Sequence, residues 1–337
     1  MSELRTRRPT LADLAREAGT SPSTASRALS GRGYVSREVR TKLLEAAERL
    51  GYVPNLSARN LKQRTSRVVG VVVSDLGNQF YAQLAAGIEQ TLREAGYQMV
   101  LLGDNSETTA ELDGARTFVA MRAAGVIMTP VSSETARLLA GHGTAVVEVD
   151  RRLAATPCDA VVIDNERGAH AATTHLLELG HRRVGLLVVD TDWTSDAGRV
   201  DGYRNAHDHL GVPVDERLIV RVPVHALDVE QQIERLFAYE PPTAIFAANN
   251  MLAEQAWRVL RKRSLALPSD ISLVGFDDVS WMAMVDPPIT VVDQPTVEMG
   301  RCAARLLLER LAEPDSPPRV EQLQPSLIVR RSTAPPA

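Results

Sequence analysis

At five places in the chain a short apolar run gives way to a polar pair: Ser74-Asp75, Asp150-Arg151, Asp164-Asn165, Asn249-Asn250 and Asp277-Asp278. Carboxylates and amides that converge accept and donate hydrogen bonds, so the set suits a ligand rich in hydroxyls or other donors. A bare acidic set can also hold a metal, and any one of these residues can instead cap the helix that follows it. A second pattern lies near the N-terminus, where Ser23, Ser26, Arg27 and Ser30 recur at i, i+3, i+4 and i+7 on one helix face. Serines approach phosphates and base edges closely, and an arginine can donate a bidentate pair to guanine, which is chemistry of the DNA major groove. An exposed serine-rich helix with no partner shows the same pattern.

Catalysis is poorly served. His181, in Gly180-His-Arg-Arg-Val, starts a strand and reads as structural, while His207 and His209 share a helix with no third metal ligand. Cys158 and Cys302 lie far apart without metal-ligand spacing and read as reduced thiols. Phosphate-loop and glycine-rich dinucleotide spacings are missing. The expectation is a protein that is not an enzyme and needs neither cofactor nor metal.

The elements that must position these residues fall into two kinds. Leu11, Leu14, Ala15 and Ala18 make one helical stripe behind a Thr10 cap with Asp13 at the third position, and Gly19 ends it. Ser21 caps a second helix with Pro22 at its first position. A third helix starts near Ser36 and carries Val39, Leu43, Ala46, Ala47 and Leu50 to Gly51. From Val68 onward, apolar runs (68–73, 99–102, 126–128, 145–149, 161–163, 184–189, 244–247 and 273–275) alternate with helical stretches such as 81–95, 170–179 and 252–260. That alternation belongs to parallel sheets with covered faces, and so many units imply two lobes. Ligands of such sheets bind beyond the carboxyl ends of the strands, where the polar pairs stand.

Charge divides the chain in the same way. The net charge is −4, yet residues 1–67 carry fourteen Lys and Arg against six Asp and Glu. Local basicity suits phosphate neutralisation, and an acidic remainder keeps any contact with DNA confined to the head. No apolar run reaches the ~20 residues of a membrane span, and Met1-Ser-Glu-Leu-Arg has no apolar signal core, so a cytoplasmic, nucleoid-associated protein with no membrane partner is expected.

The run from Thr10 to Leu29, then Val35-Ser36, Arg40, Leu50-Gly-Tyr-Val-Pro-Asn and Ala58-Arg-Asn-Leu, resembles the signature of the LacI/GalR repressor family. Asn78-Gln-Phe-Tyr, Asp164-Asn-Glu-Arg-Gly, Leu179-Gly-His-Arg-Arg-Val, Ala248-Asn249, Gly275-Phe-Asp-Asp and Thr290-Val-Val-Asp-Gln-Pro extend the likeness over nearly the whole chain. Gln79 and Asn250 stand where the family commonly has proline and aspartate.

The resemblance implies an α/β protein with an N-terminal three-helix helix-turn-helix head (1–52), a hinge (53–66) and a two-lobed periplasmic-binding-protein-like body with parallel sheets (67–337). Lobe 1 would span about 67–164 and 295–323, lobe 2 about 165–293 and 324–334. It places Pro22, Ser23 and Arg27 at base-reading positions, with Thr10, Ser21, Ser26 and Ser30 in the same DNA-binding set. Asn55 opens a hinge helix in which Ala58 accompanies Leu61, an apolar wedge for the minor groove. Effector contacts implied by position are Phe80, Asp150, Arg199, Asn249 and Asp277, with Tyr81 close by. Asp164 joins them as a residue that ends an apolar run, Trp281 as a stacking surface for a sugar, and Gln294 as a residue at a lobe crossover. The function implied is a transcriptional regulator, a repressor, that binds a palindromic operator as a homodimer under control of a small polar effector, a sugar or sugar derivative. Activation in place of repression, a solute-binding protein of transport and an enzyme on a doubly wound fold are the alternatives.

Overall fold

A computed structural model describes residues 9–30, 34–52, 66–153, 157–226, 229–238 and 240–337. The chain divides into two compact units, residues 1–66 and 67–337. The hinge residues Asn55, Ala58 and Leu61 lie outside the described residues, as does the side chain of Ser30.

The first unit holds α1 (Leu11–Glu17), α2 (Pro22–Ser30) and α3 (Arg37–Leu50). Thr10 and Asp13 cap α1 reciprocally: the Asp13 amide donates to Thr10 Oγ1 at 3.3 Å and the Thr10 amide to Asp13 Oδ2 at 2.9 Å. Gly19, with φ +64°, makes the turn that an L side chain resists, so α2 can start three residues later. Ser36 caps α3 and Gly51 ends it in the left-handed conformation. The core is Leu14, Ala15, Ala25, Ala28, Leu43 and Ala46, whose four alanines let the helices approach closely.

The second unit has two six-stranded sheets. The first contains β1 (Val68–Val73), β2 (Gln98–Gly103), β3 (Gly125–Met128), β4 (Ala145–Asp150), β5 (Asp159–Ile163) and, from much later in the chain, β11 (Val320–Leu323). Its order is β11-β5-β4-β3-β1-β2, all parallel. The second contains β6 (Val184–Val189), β7 (Ile219–Val222), β8 (Ala244–Ala247), β9 (Ser272–Phe276), β10 (Thr290–Asp293) and β12 (Ser326–Ile328) in the order β12-β10-β9-β8-β6-β7. Here β12 alone is antiparallel to its neighbour. The chain passes between the lobes three times: after β5, after β10 and between β11 and β12.

Helices cover the sheets: α4 (Gln79–Glu94), α5 (Thr108–Ala120), α6 (Ser133–Gly141), α7 (Asn165–Glu178), α8 (Thr194–His209), α9 (Val229–Glu234), α10 (Asn250–Lys262), α11 (Ser280–Met284) and α12 (Thr296–Ala312). Three of them begin earlier than apolar periodicity alone indicates, because a polar residue caps each. Asn78 accepts from the Phe80 amide at 3.0 Å, Asp164 from Arg167 at 3.0 Å and Asn249 from Leu252 at 2.8 Å. The backbones of α4 and α12 touch through glycine, since a Cβ on Gly300 would sit 2.2 Å from the Leu84 carbonyl oxygen and one on Gly87 2.1 Å from that of Val297. The strands β7 and β11 carry no continuous apolar run: Arg221 interrupts one, and Glu321 and Gln322 the other.

Candidate functional site

On the head, the buried face of α2 is Ala25 and Ala28, which turns Pro22, Ser23 and Arg27 to solvent and leaves Ser26 half-buried. The hydroxyls of Thr10 and Ser21 are engaged locally: Thr10 Oγ1 in its capping box, and Ser21 Oγ with the Thr24 amide at 3.1 Å and Ser23 Oγ at 2.8 Å. Both residues therefore shape the helix starts. Arg27 Nε donates to the Ser23 carbonyl at 3.3 Å, one turn back along the exposed face.

On the body, one cavity of about 410 Å³ is walled by both lobes. Lobe 1 supplies Ser74 and Asp75 after β1, Asp150 and Arg151 at the end of β4, and Phe80 and Tyr81 from the first turn of α4. Lobe 2 supplies Asn249 after β8, Asp277 after β9, Gln294 after β10, and Trp193, Asp196 and Arg199 from the start of α8. The strand-end groups converge because parallel strands present their carboxyl ends on one side, where the two sheets face each other.

The side chains are held tightly. Arg199 donates from Nε to Asn165 Oδ1 at 2.9 Å and from Nη1 to the Ala248 carbonyl at 2.6 Å, and its guanidinium lies 3.9 Å from the centre of the Phe276 ring. Arg151 donates to the Pro130 carbonyl at 2.7 Å and to Ser74 Oγ at 2.8 Å, with its plane 3.6 Å from the Trp193 ring centre. Asp277 accepts from the Asn250 backbone at 3.2 Å, from Asn250 Nδ2 at 3.0 Å and from Gln294 Nε2. That last bond leaves Gln294 Oε1 buried with no hydrogen-bond partner among the described residues, an acceptor that a ligand donor would satisfy.

Burial dominates the electrostatics. It pushes the Asp150 carboxyl up to about 6, against the attraction of Arg151 and Arg199, and it raises Asp196 as well. The Tyr81 hydroxyl is driven up to about 12 by the same cause and stays protonated. Arg151 comes only within 3.8 Å of Asp150.

Of the nine effector residues expected from sequence, seven share this cavity: Phe80, Tyr81, Asp150, Arg199, Asn249, Asp277 and Gln294. Two do not. Asp164 turns its carboxylate onto the first turn of α7 as a cap, outside the lining. Trp281 packs its ring 6.2 Å from that of Trp257, against the lobe 2 core, so it is a packing residue and no stacking surface of this cavity. Sequence reasoning passed over Trp193 and Asp196, although both follow β6 as closely as other lining residues follow their strands. It also passed over the role of Asn165, which orients Arg199. His181 is buried between Thr243, Ser272 and the Ala334 carbonyl, and among the described residues no group of three or more His, Cys, Asp or Glu is arranged to hold a metal ion. No helix among them is long and apolar enough to cross a membrane.

Residues 10–55 match the family described as bacterial regulatory proteins, lacI family, and residues 173–333 match the periplasmic binding protein-like domain. The HTH-type transcriptional regulator DegA of Bacillus subtilis (strain 168) is 31% identical over 331 residues, which span 97% of this chain and 98% of DegA. Among solved structures, the complex of the transcriptional regulator CelR with cellobiose is 31% identical with a TM-score of 0.73, covering 96% of this chain and 100% of CelR. The lac repressor dimer bound to operator and the anti-inducer ONPF is 25% identical with a TM-score of 0.82, covering 97% of this chain and 100% of the repressor chain.

Proposed function

We propose, from the premise that this chain belongs to the lacI family of bacterial regulatory proteins, that it is a repressor which binds a palindromic operator as a homodimer and is controlled by a small polar effector, a sugar or sugar derivative. The family is made of DNA-binding transcriptional regulators and not of enzymes. The observation that carries the effector half of the proposal is the interlobe cavity, whose lining joins the buried Gln294 Oε1 acceptor to the carboxylates of Asp150 and Asp277 and so suits a ligand with donors. The DNA half is supported by α2, whose exposed face offers Pro22, Ser23 and Arg27.

A two-fold dimer reads a two-fold site, so half-sites would be met by two copies of α2. The operator-bound dimer of the lac repressor supports that stoichiometry, and the cellobiose complex of CelR supports a sugar as effector. A difference of ~1–3 kcal/mol in effector affinity between lobe arrangements is enough to change operator occupancy several-fold or more.

A thermal-shift screen of mono- and disaccharides, followed by operator binding with and without each hit, tests both halves. The expected result is a sugar that raises the melting temperature and changes the apparent Kd for a palindromic fragment. Absence of specific DNA binding in every condition would sink the regulator reading.

A further inference from the structure

We propose that Gln79 is a positioning residue which clasps the two lobes together and so holds the opposing walls of the cavity in register. Gln79 is the first residue of α4 in lobe 1, flanked by the lining residues Asn78 and Phe80, and Ser280 is the first residue of α11 in lobe 2, three positions after Asp277. Across 201 residues of sequence they form a reciprocal pair: Gln79 Nε2 donates to Ser280 Oγ at 2.7 Å, and Gln79 Oε1 accepts the Ser280 backbone N–H at 2.9 Å.

Using both ends of one carboxamide fixes its orientation, so the pair is directional where a single contact would be loose. As the first residue of α11, Ser280 has a backbone N–H with no intrahelical acceptor, and Val279 before it makes no side-chain cap. The opposite lobe supplies what the local sequence lacks, and separation of the lobes at this point removes it.

A second interlobe contact runs through other loops: the Arg152 amide donates to Thr194 Oγ1 at 3.1 Å, beside the stack of Arg151 on Trp193. It does not involve α4 or α11, so loss of the Gln79 bonds frees one side of the cleft while the other stays tied. Any consequence for effector affinity rests on the regulator reading above, because a ligand that needs both walls binds in proportion to the fraction of molecules with the walls in place. The clasp itself does not depend on that reading.

The test uses the full chain without ligand or DNA. Gln79→Met keeps the length of the side chain and removes both bonds, whereas Gln79→Glu keeps an acceptor for both Ser280 donors. The expected result is that Met speeds hydrogen exchange of the Ser280 amide roughly three- to tenfold, as loss of exposed hydrogen bonds implies, and increases the radius of gyration, while Glu restores both. Ser280→Ala, which retains the backbone N–H, should fall between Met and the parent. Equal exchange in Met and the parent, failure of Glu to rescue, or acceleration spread evenly over the body would overturn the proposal. Loss of operator binding in the parent protein would instead count against the regulator reading.

Discussion

Asp150 and Asp277 occupy matching places in the two lobes: one ends β4, the other follows β9, and each has a left-handed backbone, φ 73° and 68°. A non-glycine residue held there costs of order 1 kcal/mol or more, a strain that persists when its surroundings demand it. Both carboxylates face the same cavity. They are served differently, since Asp277 collects donors from Asn250 and Gln294 whereas the nearest cation to Asp150 is Arg151 at 3.8 Å.

That difference has a sign in pH. Burial raises the Asp150 carboxyl to about 6, and Asp104 and Asp293 to about 6 as well. The folded state then holds protons that the unfolded chain, with an aspartate near 3.8, has released. Their stabilisation is complete below about pH 4 and is lost as pH rises through about 6. Asp150→Asn removes one such group, so urea unfolding at a series of pH values should show a smaller loss of stability between pH 4 and 7 than the parent shows. An identical slope would mean that Asp150 is ionised in the folded state throughout.

Gly300→Ala should destabilise the body by about 1–3 kcal/mol or more, because the new methyl meets the Leu84 carbonyl oxygen at 2.2 Å and backbone cannot step aside as a side chain can. The denaturation midpoint of the variant measures this. Gly141→Ala, where a Cβ meets nothing within 4 Å, is the control and should change little.

Trp281→Ala should cost roughly 1–3 kcal/mol of stability through its lost packing on Trp257 and the lobe 2 core. Effector affinity, measured calorimetrically well below the melting temperature, should stay within about twofold of the parent. A large loss of affinity at unchanged stability would return Trp281 to the binding site.

Arg27→Ala should weaken operator binding by about 1–3 kcal/mol and relax sequence preference at one base pair per half-site. Thr10→Ala acts otherwise. It removes the cap of α1 and lowers head stability by about 1 kcal/mol, with base preference unchanged in a binding-site selection experiment.

Much of this arrangement was legible in the sequence. Helix caps are local, so Thr10, Ser21 and Ser36 announced three helix starts, and apolar runs bounded by polar pairs announced most central strands. The edge strands β7 and β11 escaped because one exposed side allows Arg221 and Glu321 into them. The rule that ligand groups follow strands picked out Asp150, Asn249 and Asp277, which line the cavity. It also picked out Asp164, which lies outside that lining, since the same position offers a helix start and only the course of the backbone decides which way the carboxylate turns. Trp281 misled for a related reason: its partner Trp257 lies on another helix, α10, and side-chain neighbours across helices leave no periodic trace. The Gln79–Ser280 pair was invisible on the same ground.

The three passages between lobes also bear on synthesis. β11 pairs with β5 and β12 with β10, and Ser332, from beyond the last strand, is buried with its carbonyl accepting from the Leu273 amide. Neither sheet can be finished until residues 320–332 have left the ribosome, whereas the described core of the head lies between Leu11 and Tyr52. A nascent chain would thus own a folded head long before it owned a complete ligand cavity, and a ribosome that stalls before β11 has emerged would leave both sheets one strand short at once.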